Sequence, residues 1–224
     1  MEISELTRKS YENTYKKGYN KEFPSLDIVR LQKIFIKKKG KLLDFGCGPG
    51  TNGLFFIQKD FHVTFCDIAD FALKNLKKKL NKLNIPKSKY NLINLHKEPR
   101  YFDSKIRYFN YVICMSVFNN LGNKHNAIRY LELFNKVLKK NGKLIIDANL
   151  KGDHNYKRHK TKKGLYSTIP KNNFYLQMFF PKLSTFINIV NQTGFKINDI
   201  GKSMFKLFDT YENETIISAT KKKN

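Results

Sequence analysis

The stretch LLDFGCGPGTNG, residues 42–53, contains residue types that could bind a nucleotide. Gly46, Gly48 and Gly50 lie between an apolar run and a helical pattern, so the backbone could approach a ligand closely and point free N–H groups at it. Their spacing is Gly-x-Gly-x-Gly, whereas a dinucleotide fingerprint requires Gly-x-Gly-x-x-Gly. Asp44, just before them, would repel a pyrophosphate and attract an ammonium group. The motif therefore disfavours NAD.

A second carboxylate lies about 20 residues beyond the glycines, the distance at which nucleotide-binding folds place an acid that accepts hydrogen bonds from ribose hydroxyls. This residue is Asp67, at the end of the apolar run HVTFCD. An ammonium site, a ribose site and a close backbone turn together describe the binding of S-adenosylmethionine. We therefore expect this molecule as the cofactor.

Short, almost continuously apolar runs alternate with helical patterns, which is typical of βα units and a mostly parallel sheet with helices on both faces. The runs predict strands at residues 41–45, 62–67, 91–95, 111–116, 143–150, 196–201 and 214–223. Apolar residues at helical spacing predict helices over residues 70–83, 126–142 and 181–195, the last two ending at Gly142 and Gly194. One layered domain is predicted over residues 38–222, preceded by a helical extension of residues 1–37.

These motifs resemble those of the class I S-adenosylmethionine-dependent methyltransferases. LLDFGCGPG is similar to the first motif of the family, VTFCDIAD to its second, and YVICMSVFNNL followed by LFNKVLKKNGKLIIDANL to the rest of its core. The resemblance implies a methyltransferase with a Rossmann-like, seven-stranded, mostly parallel sheet, helices on both faces and a reversed last strand.

The resemblance also implies a set of cofactor-binding residues. Asp67 would hold the ribose, Ile68 would lie against the adenine, and Met115 would lie beside the cofactor at the end of the fourth strand. The family often has an acidic residue after the third strand that contacts the adenine amino group, and here Glu98 or Asp103 is the candidate. The positions implied around the methionine part and in the turn are Asp44, Gly46, Cys47, Gly48 and Gly50.

Three tyrosines of the N-terminal extension are candidates for the wall of the substrate pocket. Tyr11, Tyr15 and Tyr19 are four residues apart, so on a helix they share one face. They could dock the helix on the domain or form a lid over the cofactor. Tyr19 is also a candidate catalytic residue.

The methyl acceptor should bind beyond the carboxyl ends of the fourth and fifth strands, near the switch point of the sheet. Asn119, Asn120 and Asn149 follow or end these strands and are candidates for this pocket. The methyl group on the sulfonium of S-adenosylmethionine is already activated. Catalysis therefore requires that the acceptor be aligned with it and, for a weak nucleophile, that a proton be removed from the acceptor. His154 and His159, in a basic loop after the fifth strand, are candidates for a general base.

Composition narrows the possible partners. A net charge of +25 would favour nucleic acid, but 37 of the 43 basic residues are lysines, which is typical of a solvated lysine-rich surface. The three cysteines form no Cys-x-x-Cys pattern, so we expect structural thiols and no metal. No membrane span or secretory signal is predicted, so we expect a cytoplasmic protein.

Three functions remain open for this sequence. The absence of an Asn-Pro-Pro-Tyr or Asp-Pro-Pro-Tyr tetrapeptide after the fourth strand argues against methylation of an exocyclic base amine. Similarity of GYNKEFPSLDIVRL to stretches in bacterial small-molecule methyltransferases favours a small-molecule acceptor with an oxygen or nitrogen nucleophile. A tRNA or rRNA methyltransferase is the alternative, supported by the net charge and the basic loop at residues 151–163. A protein that binds the cofactor without turnover is the third possibility.

Overall fold

The structure, a computed structural model, describes residues 5–154, 156, 178–207 and 210–222. The strands are β1 (Lys41–Phe45), β2 (His62–Asp67), β3 (Tyr90–Asn94), β4 (Phe109–Cys114), β5 (Leu138–Ala148), β6 (Phe195–Leu207) and β7 (Thr210–Lys221). The helices are α1 (Glu5–Lys16), α2 (Leu26–Ile34), α3 (Thr51–Gln58), α4 (Asp70–Lys82), α5 (Lys124–Val137) and α6 (Leu183–Gln192). None of the helices in these ranges is long and apolar enough to cross a membrane.

The strands form one seven-stranded sheet in the order β3-β2-β1-β4-β5-β7-β6. Neighbouring strands from β3 to β5 are parallel, and β7 is antiparallel to both β5 and β6. The order reverses between β1 and β4, which is where open α/β sheets bind ligands. The predicted Rossmann-like sheet with a reversed last strand is confirmed.

Helices cover both faces of the sheet, because successive side chains of the buried strands point to opposite faces and both are apolar. On one face, α5 and α6 contribute apolar side chains such as Phe134 and Phe186 to a core with Leu144 of β5. On the other, Ile28 of α2 joins a core with Phe65 of β2 and residues of α3 and α4. The domain therefore has two apolar layers.

The predicted helix end at Gly142 is wrong. Helix α5 ends at Val137, and the next residue already pairs with β4 as part of β5. The pairing of β4 with β5 shifts between Phe109 and Tyr111 of β4. On the β5 side of this shift, Asn141 has a left-handed φ of 60°, so Gly142 belongs to an irregular turn inside β5. The helical spacing of apolar residues continued past the helix because Leu138 is buried as a strand residue.

The N-terminal extension packs against the domain at several points. Glu12 of α1 accepts a hydrogen bond from the backbone N–H of Phe71, at the start of α4, at 3.0 Å. Ile28 of α2 is fully buried, and the backbone N–H of Ser25 donates to the side chain of Asn52 in α3 at 2.9 Å. The extension is thereby held over the carboxyl ends of β1 and β2.

Candidate functional site

A cavity of about 810 Å³ lies at the carboxyl ends of the parallel strands, under α1 and the segment that joins it to α2. This volume is within the range of 300–1,000 Å³ that is usual for small-molecule sites. The predicted site residues that line it are Tyr11, Tyr15, Tyr19, Asp44, Gly46, Cys47, Gly48, Asp67, Ile68, Met115 and Asn120. The sequence candidates on both sides of the switch point are thus brought together in one space.

The glycine turn after β1 forms the floor of the cavity. Gly46 and Gly48 have φ values of 69° and 51°, in the left-handed region that favours glycine. A Cβ on Gly48 would lie 2.6 Å from the hydroxyl oxygen of Tyr15, on the cavity side of the turn. Gly50 does not line the cavity. It allows close packing of the turn against α4, since a Cβ at this position would lie 2.4 Å from Leu76.

Asp67, at the end of β2, ties the turn to the strand. Its Oδ2 accepts a hydrogen bond from the backbone N–H of Gly48 at 2.8 Å, and its Oδ1 accepts one from Ala69 at 2.9 Å. Each carboxylate oxygen has a second lone pair, so the side chain can accept further hydrogen bonds from a ligand. Burial raises the pKa of Asp67, and the backbone N–H groups of Ala69, Gly48 and Ile68 oppose this effect.

Asp44, at the end of β1, is almost completely buried. Its Oδ2 accepts a hydrogen bond from the backbone N–H of Gly53 in α3 at 3.0 Å. Burial raises the pKa of Asp44 to about 7, and the negative charge of Asp67 adds to the effect. A positively charged ligand group beside Asp44 would lower this pKa again and stabilise the ionised carboxylate, so the site favours a cation.

The three tyrosines of the extension cover the glycine turn. The ring centroids of Tyr11 and Tyr15 are 6.4 Å apart, and those of Tyr15 and Tyr19 are 5.8 Å apart. Tyr15 is buried against Ala69 and Ala72, while α1 ends at Lys16, so Tyr19 lies beyond the helix. The rings therefore both dock α1 on the domain and form a wall of the cavity.

Several predicted residues lie away from the cavity. Asn119 is buried, and its side chain forms hydrogen bonds with the backbone of Asn149 and Phe179. These bonds link the two loops that contain Asn149 and Phe179. Neither Asn119 nor Asn149 lines the cavity, nor does His154, which is exposed. His159 lies outside the described residues, as do Lys157, Arg158 and Lys160 of the basic loop.

The acidic candidates after β3 also lie away from the cavity. Neither Glu98 nor Asp103 is among the residues of its wall. The cavity residue that follows β3 is the apolar Leu95, which lies with Ile68 in the same lining. The two apolar side chains are suited to contact the faces of a flat ring.

Two carboxyl groups that sequence reasoning passed over line the other end of the cavity. Asp147 is the last residue but one of β5, and Glu214 lies in the first half of β7. Asp147 accepts a hydrogen bond from the backbone N–H of Ser116 at 2.6 Å, and Ser116 itself has a left-handed φ of 59°. The run KLIIDANL carried a signal for Asp147, because Asp44 and Asp67 occupy the corresponding ends of β1 and β2.

Comparison with known proteins agrees with this geometry. Residues 43–144 match the family model described as a methyltransferase domain. No curated protein matches the chain in sequence.

Groups of three or more His, Cys, Asp or Glu side chains that could hold a metal ion do not occur among the described residues.

Solved structures show the same fold at low sequence identity. An S-adenosylmethionine-dependent methyltransferase of Methanosarcina mazei is 13% identical with a TM-score of 0.68, covering 90% of this chain and 99% of its own. The 1,6-didemethyltoxoflavin-N1-methyltransferase of Burkholderia thailandensis, solved with bound 1,6-didemethyltoxoflavin and S-adenosylhomocysteine, is 13% identical with a TM-score of 0.70, covering 97% of this chain and 88% of its own. Magnesium protoporphyrin IX methyltransferase of Synechocystis, solved with S-adenosylmethionine, is 14% identical with a TM-score of 0.60 and coverages of 99% and 86%.

Proposed function

We propose that this chain, in which residues 43–144 match a methyltransferase domain, transfers the methyl group of S-adenosylmethionine to an oxygen or nitrogen nucleophile of a small molecule, leaving S-adenosylhomocysteine. The observation that carries the proposal is the continuous cavity of about 810 Å³, which runs from the glycine turn to Asp147 and Glu214. Its volume lies in the upper part of the range that is usual for small-molecule sites, and its lining extends past the residues that we assign to the cofactor.

The residues at the glycine turn fit the cofactor. The left-handed glycines let the turn pack closely under Tyr15 and Val117, where a Cβ would clash, and two buried carboxyl groups complement a ligand with positive charges. In this proposal Asp67 accepts hydrogen bonds from the ribose hydroxyls and Asp44 attracts the ammonium group. Ile68 and Leu95 flank the adenine, and Met115 lies beside the methionine part.

The bound cofactor supplies an activated methyl group, so the chain itself has to position the acceptor and exclude water. Tyr11, Tyr15 and Tyr19 close the cavity above the turn. Ser116 and Asn120, after β4, and Asp147, near the end of β5, form the wall beyond the methionine part. This wall is where we expect the acceptor.

The cavity wall gives less support to an RNA acceptor. Among the described residues that line it, five carry carboxyl groups and only Lys21 is basic. A phosphate backbone would therefore find one cationic partner, Lys21, among the described residues of this wall.

Transfer of label tests the proposed function directly. The purified protein is incubated with S-adenosylmethionine that carries a tritiated methyl group, together with cell extract, and the RNA, protein and small-molecule fractions are then counted. We expect label in the small-molecule fraction and an equal amount of S-adenosylhomocysteine. Label in RNA would replace this proposal with the RNA alternative.

A variant that cannot bind the cofactor is the negative control for this assay. Gly48→Val would add a side chain on the cavity side of the turn, where the φ of 51° is strained for valine, so it should transfer no label. If the wild-type protein binds S-adenosylhomocysteine but labels nothing in any fraction, the chain is a cofactor-binding protein without turnover.

A further inference from the structure

The segment that joins α1 to α2 covers one side of the cavity without regular structure of its own. Residues 17–25, here called the connecting segment, form neither helix nor strand. Gly18 has a left-handed φ of 91° and ends α1, as glycine often does after a helix. Tyr19 and Lys21 of the connecting segment line the cavity. Something other than secondary structure must therefore hold these two side chains in place.

Backbone hydrogen bonds fix the connecting segment only near its two ends. At its start, the N–H of Tyr19 donates to the oxygen of Thr14 in α1 at 3.2 Å. At its end, the N–H of Ser25 donates to the side chain of Asn52 at 2.9 Å. Between these points, residues 20–24 form no backbone-to-backbone hydrogen bond with the part of the chain that the structure describes. The middle of the connecting segment thus depends on side-chain contacts.

Lys79 of α4 provides contacts for the middle of the connecting segment. Its Nζ donates hydrogen bonds to Oδ1 of Asn20 at 2.6 Å and to the backbone oxygen of Lys21 at 3.1 Å. It also donates to the backbone oxygen of Pro49, in the glycine turn, at 3.2 Å. An ammonium group has three N–H donors, so these three acceptors can use all of them. Lys79 therefore connects α4, the glycine turn and the connecting segment.

The surroundings of Lys79 differ from those of the neighbouring lysines of α4. Lys79 is half-buried, whereas Lys77 and Lys78 are exposed. Burial lowers the pKa of Lys79, and the negative charge of Glu22 in the connecting segment opposes this effect. Hydrogen bonds from a charged donor are stronger than those between neutral groups. The three contacts of Lys79 are thus of the kind that can hold an irregular segment.

The other end of α4 holds α1 by a contact of opposite charge. Glu12 accepts a hydrogen bond from the N–H of Phe71 at 3.0 Å, and the residue at the helix cap, Ala69, has no side chain that could do so. A negative charge is favourable at this end of a helix. Tyr15, between the two points of attachment in sequence, is buried against α4. Helix α4 thus holds the tyrosine wall through Glu12 near one end and Lys79 near the other.

We infer that Lys79 is a positioning residue for the cofactor, because it fixes the connecting segment over the glycine turn and so limits how fast a bound nucleoside leaves. This inference rests on the proposed function, in which the cofactor lies between the tyrosine wall and the turn. Without the contacts of Lys79, the connecting segment is free of α4 from Asn20 to Ser25. The closed arrangement is then less populated, and the apparent affinity for the cofactor falls by the same factor.

The rate at which S-adenosylhomocysteine dissociates tests this inference, measured by surface plasmon resonance on the full chain. Lys79→Met keeps a long side chain suited to a helix but removes the charge and all three donors, and we expect dissociation to become about 10-fold faster. Lys79→Arg keeps a cation with several donors and should stay within about threefold of wild type. Lys78→Met is the matched control, since it removes the same charge from an exposed position of the same helix, and it should dissociate as wild type does.

A double-mutant cycle identifies the contact through which Lys79 acts. Asn20→Ala removes one of the three acceptors and should also speed dissociation, by less than Lys79→Met. The double variant with both changes should release S-adenosylhomocysteine no faster than Lys79→Met alone, because the contact is already lost. Fully additive effects, or a wild-type rate in Lys79→Met, would overturn the inference and leave the proposed function standing. A wild-type protein that does not bind S-adenosylhomocysteine would overturn both.

Hydrogen exchange, followed by mass spectrometry, separates positioning from a general loss of stability. In wild type, S-adenosylhomocysteine should slow the exchange of the backbone amides of residues 19–23. In Lys79→Met this protection should be lost, while the amides of residues 109–114 in β4 exchange as in wild type. Equal protection of residues 19–23 in both proteins would overturn the inference. So would faster exchange in β4 of Lys79→Met, since Lys79 would then stabilise the whole domain.

Discussion

The buried carboxyl group of Asp44 should make the stability of the protein depend on pH in a way that one substitution removes. Burial raises its pKa from the ordinary value of 3.8 to about 7. Because the folded pKa lies above the unfolded one, the stability that the protonated group provides is fully present below about pH 4 and is lost as the pH rises through about 7. Between about pH 5 and pH 8 the loss is about two pKa units, or about 3 kcal/mol.

Asp44→Asn isolates this contribution. The amide oxygen can still accept the hydrogen bond of Gly53, but the group no longer titrates. Urea unfolding of both proteins without ligand, followed by circular dichroism at the two pH values, gives the difference in free energy of unfolding. We expect wild type to lose about 3 kcal/mol more than the variant over this interval.

Asp60→Asn is the control, because the pKa of Asp60 is shifted in the opposite direction to that of Asp44. Asp60 is exposed, and its hydrogen bonds with Lys39 and Lys89 lower its pKa to about 2. Removing it should leave the fall in stability between pH 5 and 8 in place. The reasoning about Asp44 is refuted if Asp44→Asn and wild type show the same change in free energy of unfolding with pH.

Three further substitutions test the cofactor end of the cavity, each read by calorimetric titration with S-adenosylhomocysteine. Asp67→Ala should weaken binding about 10-fold or more, because at least one charge-assisted hydrogen bond to the ribose is lost; unchanged affinity would remove the ribose assignment. Gly48→Val should abolish binding with an unchanged far-ultraviolet spectrum, and a variant that binds normally would contradict the proposed turn. Tyr15→Ala should weaken binding by about 10-fold, since a buried aromatic wall is lost, whereas Tyr15→Phe should bind nearly as wild type; equal affinities for Tyr15→Ala and wild type would show that the ring does not cover the ligand.

The sequence was sufficient to predict the parts of the fold that depend on local pattern. The five parallel strands are apolar runs bounded by turns, and the glycine turn with Asp44 and Asp67 is a local motif at the ends of two of them. The predicted last two strands are confirmed in place, but β6 and β7 are longer than their apolar cores. Their pairing extends to Leu207 and Thr210 through polar residues that periodicity does not identify as strand.

The acceptor end of the cavity could not be predicted because it depends on contacts between distant segments. Glu214 meets Asp147 only because β7 inserts next to β5, and Glu214 itself belongs to no motif. Asn119 was a reasonable pocket candidate from its position after β4. Its bonds to the backbone of Asn149 and Phe179 turn it away from the cavity, and those bonds depend on how two loops meet.

A crystal structure of the protein with S-adenosylhomocysteine tests most directly the claim that one cavity holds the methyl donor and the acceptor. We predict that the ribose hydroxyls bond Asp67, that the homocysteine part lies against the turn at Gly46 and Gly48, and that the sulfur faces the space in front of Asp147. A nucleoside bound away from Asp67, or one that fills the space in front of Asp147 and Glu214, would contradict the account.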